Sequence, residues 1–461
     1  MDATPFLADA ETFYSRRDHR TNAYGQVDVR YADRSVLITA DPRALTSFAG
    51  QVMFLVTCNL LARWCRRVFV AVPGLALHER FRASDALIDV ALKTMRDADP
   101  FGQFHRQTVL DGDLHIHLGD ECPQLAARST IVTCAGWVAG VRRRGESGLP
   151  MGDDDNPIGA AHAAVLAGAQ VFRDALERGE LYPPGFIFDA FMGAPWVAGS
   201  PAGASLPQKL SIGQALMTGA GSVASSALFF GDLFGLCAHI DLVDADWTKI
   251  ENFARSPVFG RAGYGRRKVD FLAEHFARSS LVLRPIPTWW HEADLSPTLE
   301  GYDLVLPLAN EHGIRWELQN RVPPLMVHAS TGRNWNVNFA RHIPRRDDCL
   351  VDRFEGLHEK AALHCAEGNI ATEGPITIDA ALPFLSFFAG LLVATDLVRL
   401  GLPHYPQTPN FSHYSFRANR FAPQFDARGP RTGCICQDQG DLFWRLRANT
   451  RYAWLSAPAR H

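Results

Sequence analysis

Residues 218–226 read TGAGSVASS and lie between the apolar run QALM and the run ALFFGDLFG. Paired glycines between a strand-like and a helix-like segment form a loop whose backbone amides can come close to a phosphate. Two ligands fit such a loop: a dinucleotide that carries hydride, or ATP. The next strand ends in DLVDAD, where Asp244 and Asp246 can accept hydrogen bonds from ribose hydroxyls in either case. The residues beyond that strand separate the two ligands. Asn252 and Arg255 stand in IENFARS, and Lys268 in GYGRRKVD. Hydride transfer has no use for a fixed arginine and lysine there, whereas attack on the α-phosphate of ATP builds charge on phosphoryl oxygens that cations stabilise. Asp244 and Asn252 could each serve turn chemistry alone. It is the five polar positions in order that favour ATP over NAD.

The rest of the chain is consistent with an α/β enzyme of two domains. It has 461 residues, 47% of them hydrophobic and 21% charged, with a formal charge of -3. That length exceeds one ordinary core. The absence of a basic surplus argues against a nucleic-acid partner. The longest apolar run, ALPFLSFFAGLLVAT, falls short of the roughly 20 residues that cross a bilayer, so it is expected as a buried helix and no membrane partner is expected. Nine cysteines without small-domain spacing point to a reducing cytoplasm.

Strand and helix patterns occur twice in the same order. RSVLITA (34–40) and VFVAVP (68–73) read as strands around a helix at 47–65, STIVTCAGWVAG (129–140) as a later strand, and 156–176 as a small-residue helix capped by Asn156. After the linker SPAGASLP (200–207), the second half repeats this with QALMTGA, a helix from Ser222, HIDLVDAD, YDLVLPLA, PPLMVHAST and the helix 381–400. Such alternation predicts two tandem, mostly parallel sheets, over 1–199 and 200–461. The first half has TADPRALTSFAG where the second has its glycine pair, so its amides are not expected to cradle a phosphate.

At these residues the sequence resembles the ubiquitin-activating enzymes and their MoeB–ThiF relatives, whose pattern is a glycine loop, DxDxVxxxNLxRQ and a lysine. The resemblance covers most of 211–400 and, more faintly, the first half. It implies two Rossmann-like ThiF-type adenylation domains forming a pseudodimer within one chain, the first inactive and the second active. Gly219, Gly221 and Ser222 would then line the phosphates of ATP and Asp244 would hold the ribose, with Asp246 beside it. Asn252, Arg255 and Lys268 would clamp the triphosphate, and Arg16 in FYSRR would reach in from the first half. Where the family has a magnesium-binding aspartate in TDNxxxR, this chain has LANEHGIR, with Asn310, Glu311 and Arg315. Either Glu311 supplies the charge for Mg2+, or ATP and water hold most of the metal.

By the same resemblance Cys365, in LHCAEGNI within a catalytic-cysteine segment (345–378), would form a thioester with a ubiquitin-like protein and pass it to a conjugating enzyme. Cys349 in RDDCLVDRF and Cys434 and Cys436 in TGCICQD fall where relatives place the cysteines of a structural Zn2+ site, with Asp352 as a fourth candidate ligand. An arm at 401–461 would carry the final strands. A bacterial conjugation system, for instance an antiviral one, is consistent with this pattern. The rivals are a sulfur-carrier adenylyltransferase, an NAD oxidoreductase and a non-catalytic scaffold.

Overall fold

The computed structural model describes residues 9–22, 29–81, 84–125, 127–198, 203–207, 209–295, 298–310, 312–332, 335–353, 382–402, 405–406, 408–417, 421–438 and 450–456. They form two eight-stranded sheets of one topology. The first holds β1 (Ser35–Ala40), β2 (Arg67–Ala71), β3 (Gln103–Arg106), β4 (Leu114–Leu118), β5 (Arg128–Ala135), β6 (Val138–Arg143), β7 (Phe186–Asp189) and β8 (Ala194–Pro195), in the order 3-2-1-4-5-6-7-8. The second holds β9 (Leu210–Thr218), β10 (Leu236–Val243), β11 (Leu281–Ile286), β12 (Leu304–Pro307), β13 (Met326–Gly332), β14 (Asn336–His342), β15 (Phe411–Ser415) and β16 (Ala422–Asp426), in the order 11-10-9-12-13-14-15-16. In each sheet the first five strands pair in parallel and the last four form an antiparallel meander.

The stretch 129–140, expected as one strand, is the hairpin β5–β6. Gly136 adopts a φ of 57° and turns the chain, so Ala135 faces Val138. HIDLVDAD also leaves the sheet earlier than expected, at Val243, where Asp244 turns to hydrogen-bond backbone amides.

The apolar helices explain why the halves stay together. Pro157–Ala175 and Pro383–Leu400 are buried along their whole lengths and pack on each other as well as on their own sheets. The second is long and apolar enough to cross a membrane, but every residue of it is covered by protein. Rings meet across this contact, with Phe172 5.5 Å from Phe384 and Phe188 6.1 Å from Phe388. The last-turn arginines of the two helices answer each other. Arg173 Nη1 donates to the carbonyls of Phe416 and Arg417 at 3.2 and 3.1 Å, and Arg399 Nη1 to the carbonyl of Phe191 at 3.4 Å. One apolar core thus runs through both halves.

Burial favours the neutral form of three histidines of the first half. The His115 pKa falls to about 4 and that of His162 to about 3, while His117 is also lowered, chiefly by burial, with Asp41 opposing. Unfolded imidazoles take up protons near pH 6.5, so below that pH the unfolded chain binds more protons than the native one and acid favours unfolding. The thermal unfolding midpoint is therefore expected to fall steadily between pH 7 and pH 5. A His162→Leu variant should show a shallower slope, and an equal slope would rule out this origin.

Candidate nucleotide site

The strand order of the second sheet reverses between β9 and β12, and the carboxyl ends of strands at such a reversal are where open α/β sheets place their ligands. Gly219 is the first residue past β9. Its φ is 90°, its amide donates to the Val243 carbonyl at 2.8 Å, and a Cβ there would lie 2.6 Å from the backbone of Ala309, just past β12. Conformation and close approach both require glycine at this point. Gly221 follows as the N-cap of the helix Ser222–Leu233, whose first-turn amides have no side-chain cap, and the space about Gly221 is open. That combination is an anion-receptive helix end at the sheet's reversal point. The Ser222 hydroxyl accepts from Ser386 Oγ at 3.2 Å.

Asp244 ties the turn to the next segment. Its Oδ2 accepts from the Ala220 amide at 2.6 Å and its Oδ1 from the Asp246 amide at 2.7 Å. Asp246 in turn accepts from Lys268 Nζ at 2.7 Å, and Lys268, at the start of the helix Lys268–His275, is almost wholly buried. Asn252 ends a 3-10 turn, Ile250–Asn252, and its Oδ1 accepts from the Lys249 amide at 2.8 Å. Arg255 follows, half-buried. The Ser256 hydroxyl lies 2.7 Å from that of Ser225, in the first turns of the glycine-capped helix. The glycine turn, Asp244, Asp246 and Lys268 are thus linked by direct bonds, and Asn252 and Arg255 belong to the segment that Ser256 ties to the same helix.

The N-terminal helix Ala10–Arg17 docks on this segment from the first half. Phe13 is buried with Ile250 and Phe253, its ring 6.0 Å from that of Phe253. Arg16, three residues on, is exposed. Burial raises the Tyr264 hydroxyl pKa, and the charge of Arg16 opposes that rise, so Arg16 lies within electrostatic reach of the 250–264 segment. Its neighbour Arg17 points inward instead, to Asp18 and Asp99 at 2.7 and 2.5 Å.

Asn310 is exposed directly after Ala309, beside the glycine turn. Arg315 is buried and its Nη2 donates to the Ala309 carbonyl at 2.9 Å, while burial lowers its pKa to about 10. It supports the backbone at the strand end. Glu311 and Cys365 lie outside the described residues.

A second cluster gathers the remaining candidates. Cys349, Cys434 and Cys436 are all buried, with 3.2 Å between the sulfurs of the last two. Asp352 lies within ligand distance of Cys349 and Cys434, and His342 within ligand distance of Cys349 and Cys436. Sequence reading missed His342. Its signal was a histidine seven residues before Cys349, on a strand rather than in a cysteine motif. The ring is fully buried, its Nδ1 is 2.9 Å from the Asp348 carbonyl, and its Nε2 has no hydrogen-bond partner among the described residues. The Cys436 thiol is pulled well below its ordinary pKa, first by the Cys349 thiol and then by His342.

The matching place in the first half, toward the ends of β1 and β4, holds a polar network of the protein's own side chains. Ser129, His115, Thr39 and His117 are joined side chain to side chain at 2.7, 2.7 and 2.8 Å, and His117 meets Asp41 at 3.2 Å. Asp41 Oδ2 also accepts the amides of Asp120 and Glu121 at 2.7 and 2.9 Å. Carboxylate and hydroxyl groups of the protein occupy the donors there.

The ThiF family model matches residues 197–436, just over half of the chain, and a model described as the BilD N-terminal domain matches residues 35–181. No curated protein sequence matches significantly. Among solved structures, E. coli MccB with ATP shares 16% identity over 50% of this chain and 68% of its own, with a TM-score of 0.39. E. coli MccB with succinimide shares 16% over 48% of this chain and 65% of its own, with a TM-score of 0.38. The Microcin C7 biosynthetic enzyme MccB with N-formylated MccA shares 15% over 48% and 67%, with a TM-score of 0.36. The chain therefore spans about two thirds of the length of these proteins.

Gly219→Ala is expected to destabilise the second half. It adds both a left-handed strain and a collision with Ala309, together about 1–3 kcal/mol. Denaturant unfolding checks this, with Gly221→Ala, where the space is open, as the control expected to change stability by less than about 1 kcal/mol.

Proposed function

Since the chain belongs to the ThiF family, we propose that its second half is an ATP-dependent adenylyltransferase acting on the C-terminal carboxylate of a small ubiquitin-like protein. A carboxylate oxygen attacks the α-phosphorus, the bond to the β-phosphate oxygen breaks, and pyrophosphate leaves. The attacking group is already an anion and needs no general base, so the protein's work is positioning and charge stabilisation. The amides after Gly219 receive the phosphates, and Lys268 and Arg255 offset the growing charge. Arg16 approaches from the first half. The single observation that carries this reading is the bonded series from the Ala220 amide through Asp244 and Asp246 to Lys268, at the end of the strand where the sheet order reverses. Asn310 offers Mg2+ only an amide oxygen, so Glu311 or the nucleotide itself supplies the charge that a hard cation needs.

The mixed anhydride formed in this way is an acyl donor for a thiolate. Cys365 is the proposed acceptor, giving a thioester and releasing AMP, before transfer to a conjugating-type enzyme. The first half, with its polar network toward the strand ends, supports the site rather than repeating it, so that the chain works as a pseudodimer in itself. With a cognate ubiquitin-like protein, ATP–pyrophosphate exchange is expected to fall about 100-fold or more in Lys268→Ala and Arg255→Ala. Cys365→Ala should retain exchange and lose a thiol-sensitive adduct on non-reducing gels. A wild type that shows no exchange with its cognate protein would overturn the adenylation reading, and exchange that survives both charge substitutions would overturn only the roles given to Lys268 and Arg255. An adduct that survives Cys365→Ala would overturn only the thioester assignment.

We further infer that the second cluster suits structural Zn2+. Cys349, Cys434 and Cys436 supply three sulfurs; His342 is grouped with Cys349 and Cys436, and Asp352 with Cys349 and Cys434. His342 Nε2 and Asp352 Oδ2 are both buried atoms without a hydrogen-bond partner among the described residues that a metal would satisfy, the imidazole being the more usual zinc ligand beside thiolates. Metal analysis is expected to find about one zinc per chain, to be lost in His342→Ala and retained in Asp352→Asn. The reverse pattern would return the fourth position to Asp352.

A further inference from the structure

Arg63 ends the helix Phe48–Ala62 of the first half, and its side chain is buried. Every hydrogen bond it makes goes to a neutral oxygen. Nε and Nη2 donate to Asn59 Oδ1 at 3.0 and 2.8 Å, Nη1 to the carbonyls of Phe253 and Phe259 at 3.0 and 2.5 Å, and Nη2 also to the carbonyl of Pro257 at 3.0 Å. Asn59 Nδ2 reaches the same Pro257 carbonyl at 3.0 Å. Burying a cation with no carboxylate among its hydrogen-bond partners, and only the more distant charges of Asp97 and Asp99 to offset it, is costly, and apolar packing would join two halves with less penalty. What the planar fork adds is direction, because three carbonyls within seven residues must face one point.

Those carbonyls belong to the segment that carries Arg255, directly after Asn252. Its other side is held by Ser256, which accepts the amides of Val258 and Phe259 at 3.2 Å each and meets Ser225 of the glycine-capped helix. The segment is irregular backbone with no strand partner among the described residues, and these two polar anchors act on it beside the packing of Phe253 on Phe13 and the bond from the Ala262 amide to Asp97 just beyond it. One anchor comes from the half with the glycine turn. The other comes from the half without it.

We propose that Arg63, oriented by Asn59, is a positioning residue by which the first half holds the 252–259 segment in its phosphate-clamping geometry. The proposal rests on the adenylation reading for the ligand, but the contact itself does not. It gives the first half a role in nucleotide binding that needs no nucleotide site of its own.

The test compares Arg63→Met, Arg63→Lys and Arg173→Met in the full chain. Arg173 makes the same kind of cross-half contact, but to Phe416 and Arg417. Two readouts are used: amide hydrogen exchange without nucleotide, and calorimetric titration with ATP and Mg2+. Arg63→Met is expected to speed exchange in peptides spanning 252–259 and to weaken ATP binding by about ten-fold or more, as small misplacements of a clamp do. Arg63→Lys, which keeps the charge but not the fork, should fall between it and wild type. Arg173→Met should leave both readouts within about two-fold of wild type. Should Arg63→Met not fold, Arg63→Lys carries the same comparison. If wild type binds ATP and the Arg63 variants bind it equally well, or loosen no more at 252–259 than Arg173→Met does, the proposal is overturned alone. A wild type that gives no heat with ATP overturns the adenylation reading and this proposal with it.

Discussion

Two helices, Pro157–Ala175 and Pro383–Leu400, lie buried against each other and against both sheets, and the rest of the molecule depends on that shared burial. Neither is amphipathic in the ordinary sense. Each carries apolar or small side chains on nearly every face, so a half standing alone would expose one side of its longest helix to water. Covering it with the equivalent helix of the other half removes that exposure, and the last-turn arginines then fasten each helix end to carbonyls of the opposite half.

The candidate nucleotide site lies in the second half of this arrangement. It presents two carboxylates, Asp244 and Asp246, where an anionic ligand is proposed to bind, which would repel phosphate if they were left bare. They are not bare. Asp244 takes two backbone amides and Asp246 takes the Lys268 ammonium, so the acidic strand end is largely offset before any ligand arrives. The same bonds fix the glycine turn relative to the lysine. The first half reaches this region through Phe13 packed on Ile250 and Phe253, through Arg63 on the carbonyls beyond them, and through Asp97, whose Oδ1 accepts the Ala262 amide at 2.9 Å. The corresponding strand ends of the first half hold a hydroxyl and imidazole network instead.

Much of this was legible in residue order. The GAG turn was readable because only glycine suits a left-handed residue pressed against another strand end, and Gly219 meets both conditions. The repeated alternation of apolar runs foretold two sheets of one kind, and the cysteines at 349, 434 and 436 were recognised as a group although 85 positions separate the first from the second. Other features left no such trace. STIVTCAGWVAG has the apolar continuity of one strand, and only the pairing of Ala135 with Val138 reveals the hairpin. His342 looked like any strand histidine until folding brought its Nε2 beside the thiols.

Local chemistry, then, was enough to determine the α/β class, the tandem repeat and the identity of the glycine turn, because backbone geometry and apolar periodicity are properties of neighbours in the chain. Tertiary structure alone decided that Arg63 reaches a loop nearly two hundred residues away, that a polar network of the first half gathers at its own strand ends, and that a histidine joins Cys349 and Cys436. Each of those depends on where buried donors find oxygen or sulfur partners. A buried polar group must take its partner from whatever the packing brings near it, and sequence order does not record that.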